Sequence, residues 1–173
     1  MERLHKVGFS KLTSVKEALN ILFENMNEMS HEIIETKNSL NRILAEDIIC
    51  TISVPPFDKS AMDGYALKAN DTFGASPKSP KFVIKVGKIE IGEDVELKIN
   101  QGEAIRISTG AAVPQGADAV IKIEETDIQD ERITLYNSVT PGKNIAKKGE
   151  DIKEGELILK RGVQIKPEHI AMI

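Results

Sequence analysis

Apolar residues recur at Val15, Ala18, Leu19, Leu22, Phe23, Met26 and Met29, the three-and-four spacing of one helix face. Ser14 with Glu17 three positions on has the form of a capping box, so the pattern predicts a helix opening at Val15. Its apolar face, with the Phe23, Met26 and Met29 stripe, reads as packing against a domain or a second subunit rather than as a ligand site. A short strand is expected over 31–36 around Ile33 and Ile34. One or two helical turns are expected over 39–45 with Leu40, Ile43 and Leu44 inward, then an extended run over 46–52.

From residue 53 the period falls to two. Tyr65, Leu67 and Ala69 alternate with Ala66, Lys68 and Asn70, and 71–80 is a loop rich in Gly, Ser and Pro. An apolar strand over 82–86 stops at Gly87, and Val95, Leu97 and Ile99 alternate with Glu96 and Lys98. Further extended segments are expected over 104–107 and 119–123, and Ile133 and Leu135 alternate with Thr134 and Tyr136. Nothing between about 53 and 137 has helical spacing, so this stretch reads as an all-β module, a sandwich or small barrel. A strand over 156–159, a turn at Arg161-Gly162 and an extended 163–165 follow. Pro167 then sits at the first position of a new helix. The chain stops at Ile173 on half an amphipathic turn, so a longer natural chain is expected, of which this is an N-terminal piece.

Composition narrows this picture. Of 173 residues 40% are apolar and 4% aromatic, with no Trp, so the core must be built from Ile, Val, Leu and Ala. The 23 basic and 27 acidic residues leave a net charge of -4. With no basic excess or basic face, a nucleic-acid partner is not expected. An anionic ligand needs local basic groups or a metal ion to offset that sign. Cys50 is the single cysteine, which excludes an intrachain disulfide and makes a cytoplasmic chain the simpler reading. It follows Ile48-Ile49 and reads as a buried thiol. Residues 1–14 lack the apolar centre of a signal peptide. No run approaches the ~20 apolar residues of a membrane span, so no membrane partner is expected. His5, His31 and His169 are scattered, which gives no zinc site and no Ser-His-Asp arrangement.

Three polar bends remain as candidate chemistry. The first is Val54-Pro55-Pro56-Phe57-Asp58-Lys59-Ser60-Ala61-Met62-Asp63-Gly64-Tyr65. Its prolines impose extended geometry and Asp63-Gly64 is a turn signal. It is either a rigid loop carrying functional side chains or a plain polar hairpin tip. The second runs from Arg106 through Ser108-Thr109-Gly110 to Asp118. Its hydroxyls and backbone N–H groups can hold an anion with Arg106 adding charge, or it is only a strand-ending turn. The third, Pro141 to Asp151, places Lys143, Lys147 and Lys148 before Glu150 and Asp151. It lacks P-loop spacing and is either a site for an anion with its metal ion or a solvated charged loop.

The three bends together resemble the molybdopterin molybdenumtransferase family, which includes the E domain of gephyrin. The match lies in Pro55 to Ala66, in Arg106 to Ala111 with Pro114 and Gly116 to Val120, and in Gly142 to Ile145 with Lys148 to Asp151. The first motif is long and specific, and all three occur in the family's order. The resemblance implies an α+β, mostly β fold. It has an elongated two-part N-terminal region: a discontinuous dimerisation part from 1–52 plus 138–173, and a β-rich inserted domain over 53–137. A pterin-binding α/β domain and a small barrel would lie outside this chain.

The implied reaction inserts molybdenum from molybdate into adenylylated molybdopterin with release of AMP, and requires Mg²⁺. Family functional residues fall on Asp63, Thr109 and Asp151, with Asp63 and Asp151 as candidate metal ligands. Ser60, Arg106, Ser108, Lys147 and Lys148 are the candidate substrate-binding residues of the same bends. The implied partners are a second copy of the chain, whose pterin-binding domain completes the site, and molybdopterin adenylyltransferase in the pathway. The fragment alone is expected to be inactive. Two other readings stay open: a non-catalytic dimerisation or scaffold module, and a homologue that inserts tungstate.

Overall fold

The computed structural model describes residues 12–27, 29–93 and 96–173. Helix α1 spans Val15–Glu24, and the Ser14 hydroxyl accepts the Glu17 N–H at 3.1 Å, the cap the sequence predicts. It ends at Asn25, before Met26 and Met29 can join it. None of its residues is buried, and Val15 and Phe23 are 78% and 64% exposed. Its apolar face therefore packs on nothing within the described chain.

The segment that follows departs from expectation. No strand forms over 31–36, where Ile33 is fully exposed and a 3₁₀ turn occupies Thr36–Asn38. No helix forms over 39–45 either. Asn41 has φ of 64°, and Leu40 and Ile43 face solvent. The reason is non-local. Asn41 N–H donates to the Ile165 carbonyl, Leu44 N–H to Val163, Ile165 N–H to Arg42 and Gly162 N–H to Leu44. Backbone pairing with the far end of the chain overrides a short helical period. The same ladder continues as β1 (Ile48–Ile49) against β10 (Leu157–Leu159), antiparallel. Cys50 beside it is buried, and its Sγ–H donates to the Ile52 carbonyl at 2.9 Å. The second helix, α2, spans Pro167–Ile170 with Pro at its start.

The centre is a curled six-stranded sheet, and the fold is α+β and mostly β. Its strands are β3 (Gly64–Leu67), β4 (Lys81–Ile89), β5 (Glu103–Ile107), β6 (Ala119–Lys122), β7 (Thr126–Gln129) and β8 (Arg132–Leu135). Their order is β6-β3-β5-β4-β8-β7, with β4 and β5 parallel and every other pair antiparallel. Alternation sorts the side chains onto two faces. Tyr65, Leu67, Val83, Ile121, Ile133 and Leu135 cluster on one, and Ala66, Ile89, Ile105, Ile107 and Val120 on the other. Val139 and Ile145, past residue 137, also pack against these clusters. Strand β3 is buried on both faces, which suits its place between two neighbours.

Three local readings of the sequence change here. Strand β4 runs through Gly87 to Ile89, with an irregularity between Lys85 and Gly87 rather than an end. A Cβ at Gly87 would stand 3.0 Å from Leu97, so the glycine admits a neighbouring side chain instead of ending the strand. The alternating 95–99 segment forms no strand among its described residues. Leu97 is exposed, Ile99 is buried, and only Lys98 makes an isolated bridge, to Gln115; Val95 lies outside the described residues. Gly64 is the first residue of β3 and not a left-handed turn residue. A Cβ there would lie 2.0 Å from the Ile121 carbonyl oxygen, so the glycine is required by close strand approach. Among the described residues between 53 and 137 helix is confined to 3₁₀ turns at Ala69–Thr72 and Ile123–Glu125. Among the described residues no helix is long and apolar enough to cross a membrane.

Candidate functional site

The first bend holds the other two. Strand β2 (Lys59–Ser60) pairs with β9 (Ile145–Ala146), and Ala61 N–H donates to the Asn144 carbonyl. On its other side Ser60 N–H donates to Ala111, Gly110 N–H donates back to Ser60, and Val113 N–H donates to Asp58. The peptide bond between Val54 and Pro55 is cis. Backbone hydrogen bonds thus carry residues 108–113 and 143–151 to opposite edges of one loop.

Two side-chain contacts complete the junctions. Thr109 donates to Asp63 Oδ1 twice, from its backbone N–H at 2.7 Å and its hydroxyl at 2.9 Å. These bonds, the backbone one first, hold Asp63 below the ordinary carboxylate range, and the nearby Arg106 charge adds to them. Both bonds end on Oδ1, so Oδ2 has no protein partner among the described residues. At the other junction Lys147 Nζ lies 2.8 Å from Asp58 Oδ2, and Lys148 N–H donates to Asp58 Oδ1 at 2.9 Å. The Lys147 bond, then the Lys148 bond, lower the Asp58 pKa. Glu150 accepts the Lys147 N–H at 2.7 Å and closes that turn.

The remaining expected site residues sit as follows. Ser60 is 1% exposed, and its hydroxyl donates to the Met62 carbonyl at 2.6 Å. Arg106 Nη1 donates to the carbonyls of Gly64 and Ile107 at 2.9 and 3.0 Å, with its guanidinium 5.7 Å from the Tyr65 ring centre. The Ser108 hydroxyl is hydrogen-bonded to Glu90, which also pairs with Lys88; those two contacts, Lys88 first, lower the Glu90 pKa. Asp151 is tied by its N–H to the Val54 carbonyl at 3.0 Å, nine residues before Asp63 on the same loop.

A surface depression of about 450 Å³ is lined by Met62, Asp63, Thr109, Lys122, Glu124 and Glu125. It brings Asp63 and Thr109 together but not Asp151, Lys147 or Lys148. Lys122, Glu124 and Glu125 are absent from the three bends. They end the regular strand β6 and fill the 3₁₀ turn after it, where composition and spacing give no chemical signal. Ile123 N–H donates to the Asp63 carbonyl and fixes that turn beside the site. Among the described residues no three His, Cys, Asp or Glu side chains gather as a metal-ligand set. The donor chemistry of Asp63 alone fits Mg²⁺, which takes one or two carboxylate oxygens and completes its shell with waters and substrate phosphates. Asp151, outside the depression, is not grouped with it.

Fold and site define a β-rich module whose chemistry is gathered on one loop: a carboxylate locked by a threonine, a lysine pair, and two turns joined by backbone bonds. The family model for the MoeA N-terminal region (domain I and II) matches residues 13–173, and the chain belongs to that family. It is 37% identical over 159 residues to a molybdopterin molybdenumtransferase of Staphylococcus aureus strain Mu50, covering 92% of this chain and 38% of that protein. A molybdopterin molybdenumtransferase of Staphylococcus epidermidis is 38% identical over 160 residues, again 92% of this chain and 38% of the relative. The crystal structure of the molybdopterin biosynthesis MoeA protein from Pyrococcus horikoshii OT3 superposes with a TM-score of 0.82 at 37% identity, over 94% of this chain and 43% of that one. The chain thus spans about two fifths of the relatives it matches.

Proposed function

We propose that the full-length protein acts in molybdenum cofactor biosynthesis. It inserts molybdenum from molybdate into adenylylated molybdopterin with release of AMP, and this region supplies one wall of the site. The double hydrogen bond from Thr109 to Asp63 Oδ1 carries the reading. It fixes an ionised carboxylate in a surface depression with one oxygen turned free. Asp63 orients a divalent cation or a water at the adenylate phosphate, and Thr109 holds Asp63 rather than the substrate. Mg²⁺, when bound, offsets phosphate charge; Asp63 Oδ2 suits it as one ligand. Lys147 and Lys148 supply positive charge at the far edge of the same loop. Asp151, whose main-chain N–H is held by Val54, places its carboxylate at that edge as a further candidate for the cation.

A homodimer is part of this proposal, with the pterin-binding domain of a second subunit completing the site and molybdopterin adenylyltransferase providing the substrate. The apolar face of α1, exposed in the single chain, supports a covering partner. Asp63→Ala in the full-length protein tests the whole reading. Molybdenum content of the product and AMP release should fall by about a hundredfold or more while the oligomer stays intact by light scattering. Unchanged insertion would leave only a scaffold role, and metal analysis of the wild-type product decides between molybdenum and tungsten.

A further inference from the structure

We propose that Lys122 is the cation that receives the anionic part of the substrate beside Asp63 and Thr109. The proposal rests on the reading above that the substrate is an adenylate. Among the described residues Lys122 is the one basic residue in the wall of the depression, whose other charged groups are Asp63, Glu124 and Glu125. A phosphate entering there meets three carboxylates, and without a positive group the repulsion excludes it. Arg106, the cation of the second bend, is committed elsewhere. Its Nη1 is bonded to two main-chain carbonyls and its guanidinium lies by Tyr65.

The strand register explains why Lys122 differs. On β3 and β5, Tyr65 faces Arg106 across the ladder, so the two share one face of the sheet. On β3 and β6, Gly64 faces Lys122, which places Lys122 on the other face. Its cross-strand neighbour there has no side chain to cover it. Lys122 is half-buried and forms no ion pair among the described residues. The 3₁₀ turn that starts at Ile123 directs Glu124 and Glu125 into the same wall. An ammonium on a half-buried stem, without an ion pair among the described residues and in the same wall as a locked carboxylate, is placed to donate to a phosphate oxygen.

The test uses the full-length protein with Lys122→Gln and Lys122→Arg. In steady-state molybdenum insertion, Lys122→Gln should raise KM for adenylylated molybdopterin about tenfold, the value of one charge-assisted hydrogen bond, with the loss on KM rather than kcat. Lys122→Arg should recover most of it. If Lys122→Gln leaves KM unchanged, or if the loss falls on kcat and arginine does not restore it, the assignment fails while the proposed function stands. If the wild-type protein inserts no molybdenum, the proposed function fails. Calorimetric binding of AMP then decides Lys122: weaker binding by Lys122→Gln supports the assignment, and equal binding, or none by wild type, overturns it.

Discussion

Lys147 Nζ and Asp58 Oδ2 stand 2.8 Å apart although 89 residues separate them in the chain. The same carboxylate accepts the Lys148 N–H, so one side chain adds to the backbone bonds that hold the third bend to the first. The pair is exposed, and exposed pairs contribute little individually. Asp58→Ala should therefore cost only about 1 kcal/mol, mostly from the lost acceptor for Lys148, read as a shift in urea midpoint. A loss several times larger would mean that the loop needs Asp58 to fold.

Asp58 and Asp63 are both held below the ordinary carboxylate range. Their stabilisation is complete above the unfolded-state value near 3.9 and is lost as pH falls through the lowered folded values. The Asp58→Asn, Asp63→Asn double variant should therefore be less stable than wild type at neutral pH, and the gap should close below about pH 4. Urea titrations at neutral and acid pH measure it; a gap that widens in acid contradicts the assignment.

Thr109 reaches Asp63 through both its backbone and its hydroxyl. Thr109→Val removes only the second bond. It should lower kcat/KM by roughly twofold to tenfold, the worth of one hydrogen bond, whereas Asp63→Asn should cost far more. Equal losses would place the Thr109 hydroxyl on the substrate instead.

Ser60 is buried, and its hydroxyl serves the Met62 carbonyl. Ser60→Ala should lower stability by about 1 kcal/mol and leave KM close to wild type. A raised KM without a stability change would return Ser60 to the substrate.

Gly64→Ala meets the Ile121 carbonyl oxygen at 2.0 Å, a clash with backbone that no rotamer relieves. A loss of about 3 kcal/mol or more is expected, seen as a large fall in Tm; a variant as stable as wild type would show that β3 and β6 can part.

How far the sequence spoke depended on whether an element answered to its own residues. The Ser14 cap, the apolar extended runs around Ile105 and Ile121 and the alternation around Ile133 were legible, because local chemistry decided them. Residues 39–45 were not, because their partners are Gly162 to Ile165 at the other end of the chain, and that pairing left Leu40 and Ile43 outside. Strand β7, with only Ile128 as a strong apolar signal, was missed for want of pattern. At the site, the motif residues marked Asp63 and Thr109, but their bond spans 46 positions and could not be seen in spacing. Lys122 was silent because it closes an ordinary strand.

Strand β3 has β5 on one side and β6 on the other, each in fixed register. Adding or removing one residue between Gly64 and Leu67 would turn every side chain over and carry Asp63 away from Thr109. The turn at 76–79, whose backbone bonds run between Ser76 and Ser79, bears no such constraint. Descendants of this chain are free to lengthen that turn, while the four-residue rung from Gly64 to Leu67 is as inflexible as the spacing of teeth on a key.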